Sequence, residues 1–188
     1  VYPATEVIQN VSGTNLTLDT PTVTVSQKNN VTAPVELAKD VEIGGTKAIT
    51  FGGATGTAGK NITVTGDVIF NGITVSSPVI NNNSVSCTGN VTFADTYATA
   101  TGKTGTFNAS AGTVTFNANV DFSRNTFVSN NGTIVLDPSP SGTTITLGGS
   151  NTYNTVQIKG NVDIKDKNTF ATLTASGLEN KTITFPAT

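Results

Sequence analysis

The sequence predicts an all-β chain wound as a parallel solenoid, and three observations carry that expectation. Thr occurs 36 times, Asn 21, Val 20 and Gly 19, against seven Leu. Val and Thr suit pleated surfaces and Asn and Gly suit turns, whereas helices draw on Leu, Glu, Lys and Arg. Apolar and polar residues alternate in short runs along the entire chain, the period of a half-buried strand. The runs also recur: anchors at Ile62, Val91, Val114, Ile134, Val156 and Ile183 are spaced by 29, 23, 20, 22 and 27 residues, and strand repeats of that length mean a solenoid.

In chain order the runs begin with Leu16-Thr-Leu18, Val23-Thr-Val25, Val41-Glu-Ile43, Ile62-Thr-Val64, Val68-Ile-Phe70, Ile73-Thr-Val75 and Val91-Thr-Phe93. They continue with Val114-Thr-Phe116, Val120-Asp-Phe122, Ile134-Val-Leu136, Ile145-Thr-Leu147, Val156-Gln-Ile158, Val162-Asp-Ile164 and Ile183-Thr-Phe185. The outer residues of each run are expected inward and the central one outward. Turn-forming pieces separate them, among them Gly44-Gly45, Asn81-Asn82-Asn83, Asn130-Asn131-Gly132 and Gly148-Gly149. Ala33 to Asp40 is the one stretch that admits a turn or two of helix, against the presence of Pro34. At roughly 22 residues per turn the chain supplies about eight irregular turns and about 40 Å of axis.

Stacked strands bring like residues into columns. Asn119-Val-Asp-Phe-Ser-Arg-Asn-Thr-Phe127 matches Asn161-Val-Asp-Ile-Lys-Asp-Lys-Asn-Thr-Phe170 with one insertion, and Asn151-Thr-Tyr153 is a third copy of the Asn-Thr-aromatic triplet. The triplet suits a corner, with Asn in a turn or left-handed backbone, its amide laddered, and the ring stacked in the column beneath. The alternative architecture is two tandem β-sandwich modules, which calls for longer strands and two similar halves.

Composition excludes several functions. Ten Lys and Arg against twelve Asp and Glu leave a net charge of -2, without the basic cluster a nucleic acid requires. The absence of His removes a histidine base or metal ligand. The lone Cys87 forms neither an internal disulfide nor a thiolate metal site, and is read as a small core residue. No apolar run is long enough to span a membrane, and no cofactor is implied. The start at Val1 without Met suggests a piece of a longer chain, read as one solenoid domain over 1–188, less regular over 1–60 and clearly repetitive over 61–188.

Acidic candidates for chemistry are Asp67, Asp95, Asp121, Asp137, Asp163 and Asp166. Polysaccharide-cleaving solenoids need carboxylates converging in a groove, roughly 5 to 9.5 Å apart. Asp121 and Asp163 occupy matching places in the repeat beside Arg124, Lys165 and Lys167. A site is normally made once, so repetition favours a solvated face. Thr-x-Thr ranks such as Thr113/Thr115 and Thr144/Thr146 suggest an ice-binding plane, but irregular turns break its lattice. Asn-x-Ser/Thr sequons, among them Asn90 and Asn131, carry little weight in a chain of this composition.

At Asn151-Thr-Tyr-Asn-Thr-Val-Gln-Ile-Lys-Gly-Asn-Val-Asp-Ile164 and Asn168-Thr-Phe-Ala-Thr-Leu-Thr-Ala-Ser-Gly177 the chain resembles the passenger regions of bacterial surface adhesins of the filamentous-haemagglutinin-like and autotransporter types. The resemblance covers about Asn61 to Thr184 and is weak before that. It implies a right-handed parallel β-helix, secreted or displayed on the cell surface, acting as a non-enzymatic structural or adhesive segment toward a host-cell, glycan or protein partner. Phe70-Asn71-Gly72-Ile73 only partly matches that family's secretion-domain motif, and Arg-Gly-Asp is absent. No catalytic, cofactor or metal residue is named. Contact sites are expected in Gly52 to Lys60, Ala94 to Thr106 and Asp137 to Gly142, and the competing reading is a carbohydrate-active β-helix protein.

Overall fold

The computed structural model describes residues 84–187 apart from Leu178, and before them the strands with Gly72 and Pro78; side chains are described at positions from Ile69 onward. The first strands are β1 (Leu16–Leu18), β2 (Val23–Ser26), β3 (Val35–Leu37), β4 (Val41–Gly44), β5 (Ile49–Gly52), β6 (Ile62–Val64), β7 (Val68–Asn71) and β8 (Thr74–Val75). Next come β9 (Val79–Asn81), β10 (Val85–Thr88), β11 (Val91–Phe93), β12 (Tyr97–Thr99), β13 (Gly105–Asn108), β14 (Thr113–Phe116) and β15 (Val120–Asp121). The last are β16 (Asn125–Val128), β17 (Thr133–Leu136), β18 (Thr144–Gly148), β19 (Thr152–Ile158), β20 (Asn161–Ile164), β21 (Thr169–Ala175) and β22 (Ile183–Thr184). No helix occurs among the described residues. Val35–Leu37, inside the stretch that admitted a helix, is a strand paired with Ile62–Val64, because tertiary pairing of a Val-Glu-Leu alternation outweighs weak local propensity.

The strands form three parallel sheets: β1-β4-β7-β10-β13-β16, β2-β5-β8-β11-β14-β17-β19-β21, and β3-β6-β9-β12-β15-β18-β20-β22. Each strand therefore pairs with its equivalent one coil away, which is the β-solenoid expected, and the parallel pairing removes the sandwich alternative. The second sheet stacks eight strands, one per coil, and five of its steps run from β8 to β21, against about eight irregular turns expected of the whole chain. After β16 the first sheet stops, and β19 and β21, seven residues each, carry both its ring column and the second sheet.

Register explains why the composition works. In the second sheet Val23, Ile49, Val75, Phe93, Phe116, Leu136, Ile158 and Ala175 stand in one column. In the third, Val35, Ile62, Val79, Tyr97, Val120, Leu147 and Ile164 form another. Where side chains are described, the interior members of both are buried to 1 % exposure or less, each such side chain stabilising the fold by about 1.5 to 3 kcal/mol. Cys87 is buried in the same core. The two outer anchors, Ile62 and Ile183, lie in the third sheet and the four between them in the second, so the anchor spacing mixed two faces. Val135 is a central residue yet buried, unlike its register partners Thr115 and Gln157, which are half-buried.

The triplet rings form one column: Tyr153 stacks on Phe170 at 5.5 Å, centroid to centroid, while Phe127 lies 4.6 Å from Tyr153 with its ring tilted by 49°. Their asparagines, however, keep φ negative; the left-handed asparagines among the described residues are Asn130, Asn131 and Asn180. Asn side chains mostly clamp the backbone of a neighbouring coil in place of stacking amide on amide. Asn168 Oδ1 accepts from Asn151 N at 2.8 Å, Asn161 Oδ1 from Thr182 N at 2.9 Å and Asn119 Oδ1 from Thr146 N at 2.8 Å. A backbone N–H freed by a coil corner must find a partner, and an asparagine of the neighbouring coil supplies it.

Candidate contact surface

Asp121 ends β15, Phe122 turns inward and is buried, and Ser123 and Arg124 project at an exposed corner before β16. Asp121 Oδ1 accepts from Ser123 N at 2.8 Å, an Asx-type turn that fixes the corner locally. Asn125 N donates to Phe122 O at 2.9 Å and Gly105 N to Arg124 O at 3.3 Å, tying the corner to the coil below. Arg124, the single arginine of the chain, is thereby held outward.

Two grooves of about 400 Å³ flank this corner and share Ser123. One runs along Thr104, Thr106, Arg124 and Thr126. The other crosses the third sheet and is lined by Asn119, Asp121, Thr146, Gly148, Lys165 and Asp166 among others. Gly148 is part of its shape, since a Cβ there would stand 3.1 Å from Asp121 Oδ1. Asp166 Oδ2 accepts from Gly149 N at 2.6 Å, where Gly149 adopts φ 99°, a conformation glycine allows at little cost. Lys165 is ion-paired with Asp163. The surface is thus polar and mixed in charge, with hydroxyls, two carboxylates, one ammonium and one guanidinium within one corner, suited to hydrogen-bonding a polyhydroxylated or polar partner.

The acidic candidates disperse otherwise. Asp121 and Asp163 do not match in register: Asp121 lies opposite Gly148 and Asp163 opposite Thr146, with β18 between them. That offset puts their Cα atoms about 12 Å apart. The cause is a two-residue slip, because Val120 aligns with Leu147 and Ile164, not with Val162. Asp137 sits 3.6 Å from Lys159 in a half-exposed pair, worth little in solvent. Burial holds the Asp95 carboxyl above its usual range, but Asp95 lines neither groove. Asp67 lies outside the described residues. Among the described residues no three His, Cys, Asp or Glu gather as a metal-ligating group, and no helix is long and apolar enough to cross a membrane.

Of the expected contact loops, residues 53–60 lie outside the described residues. Ala94 to Thr106 is not one loop: it contains β12, where Tyr97 and Thr99 are buried, and its exposed residues are Thr96 and Thr101 to Thr104. Burial pushes the Tyr97 phenol up, while Thr99 and Asn125 beside it pull weakly the other way. Ser139 to Gly142 is exposed as expected. In the sequence, repetition favours a solvated face over a glycan-binding or hydrolytic cluster around Asp121, Arg124, Lys165 and Asp166; the structure brings Asp121, Ser123, Lys165 and Asp166 to one groove, with Arg124 on the groove beside it. The chain matches no family model, no curated protein and no solved structure.

Proposed function

We propose that this chain is a non-enzymatic structural and adhesive segment of a bacterial secreted or cell-surface protein, a rod that displays or spaces contact surfaces outside the cell. The observation that carries this reading is the unbroken column register along the axis. It consumes the apolar residues in stacking and leaves the outward positions and corners to a partner. The grooves at the Ser123 corner are the surface of choice, and the partner is a glycan or polar protein surface on a host or neighbouring cell. The test applies the purified chain to immobilised glycans and to cultured cells, beside the variants Arg124→Ala and Lys165→Ala. Binding that falls at least about tenfold in either variant supports adhesion at this corner; binding to nothing leaves only the spacer role.

One observation favours a second reading, a polysaccharide-active protein: Asp121 and Asp166 line the same groove. Release of reducing ends from a polysaccharide panel, abolished by Asp166→Asn, would establish it.

A further inference from the structure

The two grooves that share Ser123 are opposite in charge. The groove along Thr104, Thr106, Arg124 and Thr126 has no carboxylate in its lining. Arg124 is exposed and makes no ion pair with any described residue. Lys103, exposed beside Thr104 and likewise without an ion pair, adds a second positive charge from the coil below. The groove across the third sheet sets Asp121 and Asp166 against Lys165, and Lys165 is already paired with Asp163. Two carboxylates to one ammonium leave that lining net negative. Both carboxylates are fixed by backbone, Asp121 Oδ1 accepting from Ser123 N at 2.8 Å and Asp166 Oδ2 from Gly149 N at 2.6 Å. Each keeps a second oxygen that can accept from a ligand.

Hydroxyls stand in both grooves, Thr106, Ser123 and Thr126 in the first, Thr96 and Thr146 in the second. Neither offers an exposed apolar side chain, since Val120 in the second is buried. The apolar anchors that hold a protein partner therefore find no pocket here, whereas a chain of sugar hydroxyls finds donors and acceptors throughout. A polymer of one charge sign gains at one groove and is repelled at the other. The geometry points to a dipolar glycan as the ligand, which rests on the adhesive reading of this corner. An acidic sugar places its carboxylate on Arg124, whose planar guanidinium suits two parallel hydrogen bonds. A neighbouring amino sugar places its free ammonium against Asp121 and Asp166, and ring hydroxyls meet Ser123 between them.

Amide chemical-shift titration of the isotope-labelled 188-residue chain tests this, because exposed charge pairs hold weakly and the method reads millimolar affinity. The probe is an oligosaccharide of alternating glucuronate and N-unsubstituted glucosamine. Its N-acetylated form lacks the ammonium, and its carboxyl-reduced form lacks the carboxylate. The expected shifts centre on Gly105, Ser123 and Gly148, with each modified form binding at least about threefold more weakly than the parent. Arg124→Ala should weaken the parent and the N-acetylated form and leave the carboxyl-reduced form unchanged. Asp166→Asn, which still accepts from Gly149 N, should weaken the parent and the carboxyl-reduced form and leave the N-acetylated form unchanged. Loss of local structure cannot produce that reciprocal pattern, and circular dichroism verifies that each variant is folded. Equal binding of the three forms, or variants that weaken all three alike, overturns the dipolar ligand and leaves adhesion at this corner standing. Absence of shifts at the corner with every form overturns it as well, and binding of the chain to cultured cells then decides adhesion separately.

Discussion

Phe107 is fully buried, and its ring centroid lies 4.8 to 6.1 Å from those of Phe93, Tyr97, Phe116, Phe122 and Phe127. Phe107→Ala removes that ring from the middle of the axis. Large-to-small replacements of this kind cost about 3 to 5 kcal/mol, and five rigid aromatic walls collapse poorly into the void. The ring pairs contribute about 0.5 to 1.5 kcal/mol each but do not add, so the expected loss is about 4 kcal/mol. Urea unfolding reads it directly, and in a chain of this length it lowers the thermal midpoint by about 8 to 16 °C. Because coils contact only their neighbours, amide protection should fall first in β10 and β16, which flank β13, and last in β21. Phe107→Leu, which keeps most of the volume, should cost about 1 to 1.5 kcal/mol. A Phe107→Ala loss below about 1.5 kcal/mol, or one matched by exposed Phe185→Ala, would refute the stacked-core account.

Other perturbations probe the corners and the buried groups. A Cβ at Gly132 would stand 1.8 Å from the Ser110 carbonyl oxygen, which is backbone, so Gly132→Ala should cost at least about 2 kcal/mol in urea unfolding. At Gly102, with φ 75° and open space around it, alanine should cost only about 1 kcal/mol. Burial pushes the Cys87 thiol up, so the native chain should resist a thiol reagent at pH 8 that labels the urea-unfolded chain at once; equal rates would place Cys87 outside the core. The fold favours protonated Asp95, so this group's contribution falls as pH rises through and above the ordinary carboxylate range. Asp95→Asn should therefore raise the thermal midpoint slightly at pH 7 and leave it unchanged at pH 3; a drop at pH 7 reverses the sign of that argument.

Strand period, coil length and the identity of the column residues were legible in the sequence, because alternation and stacking both depend on which side chain stands two residues away. Asn151-Thr-Tyr153 and Asn168-Thr-Phe170 were read as stacked triplets and are. The Asp121 and Asp163 match misled: a repeat aligned by similarity placed Val162 beside Val120, whereas packing chose Ile164. Corner lengths differ between coils, and only the closing of each coil decides which residue reaches which column.

The composition and periodicity of the chain determined by themselves that it is all-β, wound in coils and built on Val, Ile and aromatic columns, since these follow from local propensity and burial. Only the tertiary structure decided the register between coils, the clamp of each asparagine on its neighbour's backbone, and the grooves at the Ser123 corner. Those depend on residues 17 to 27 positions apart, whose meeting is set by three-dimensional closure that no local pattern encodes.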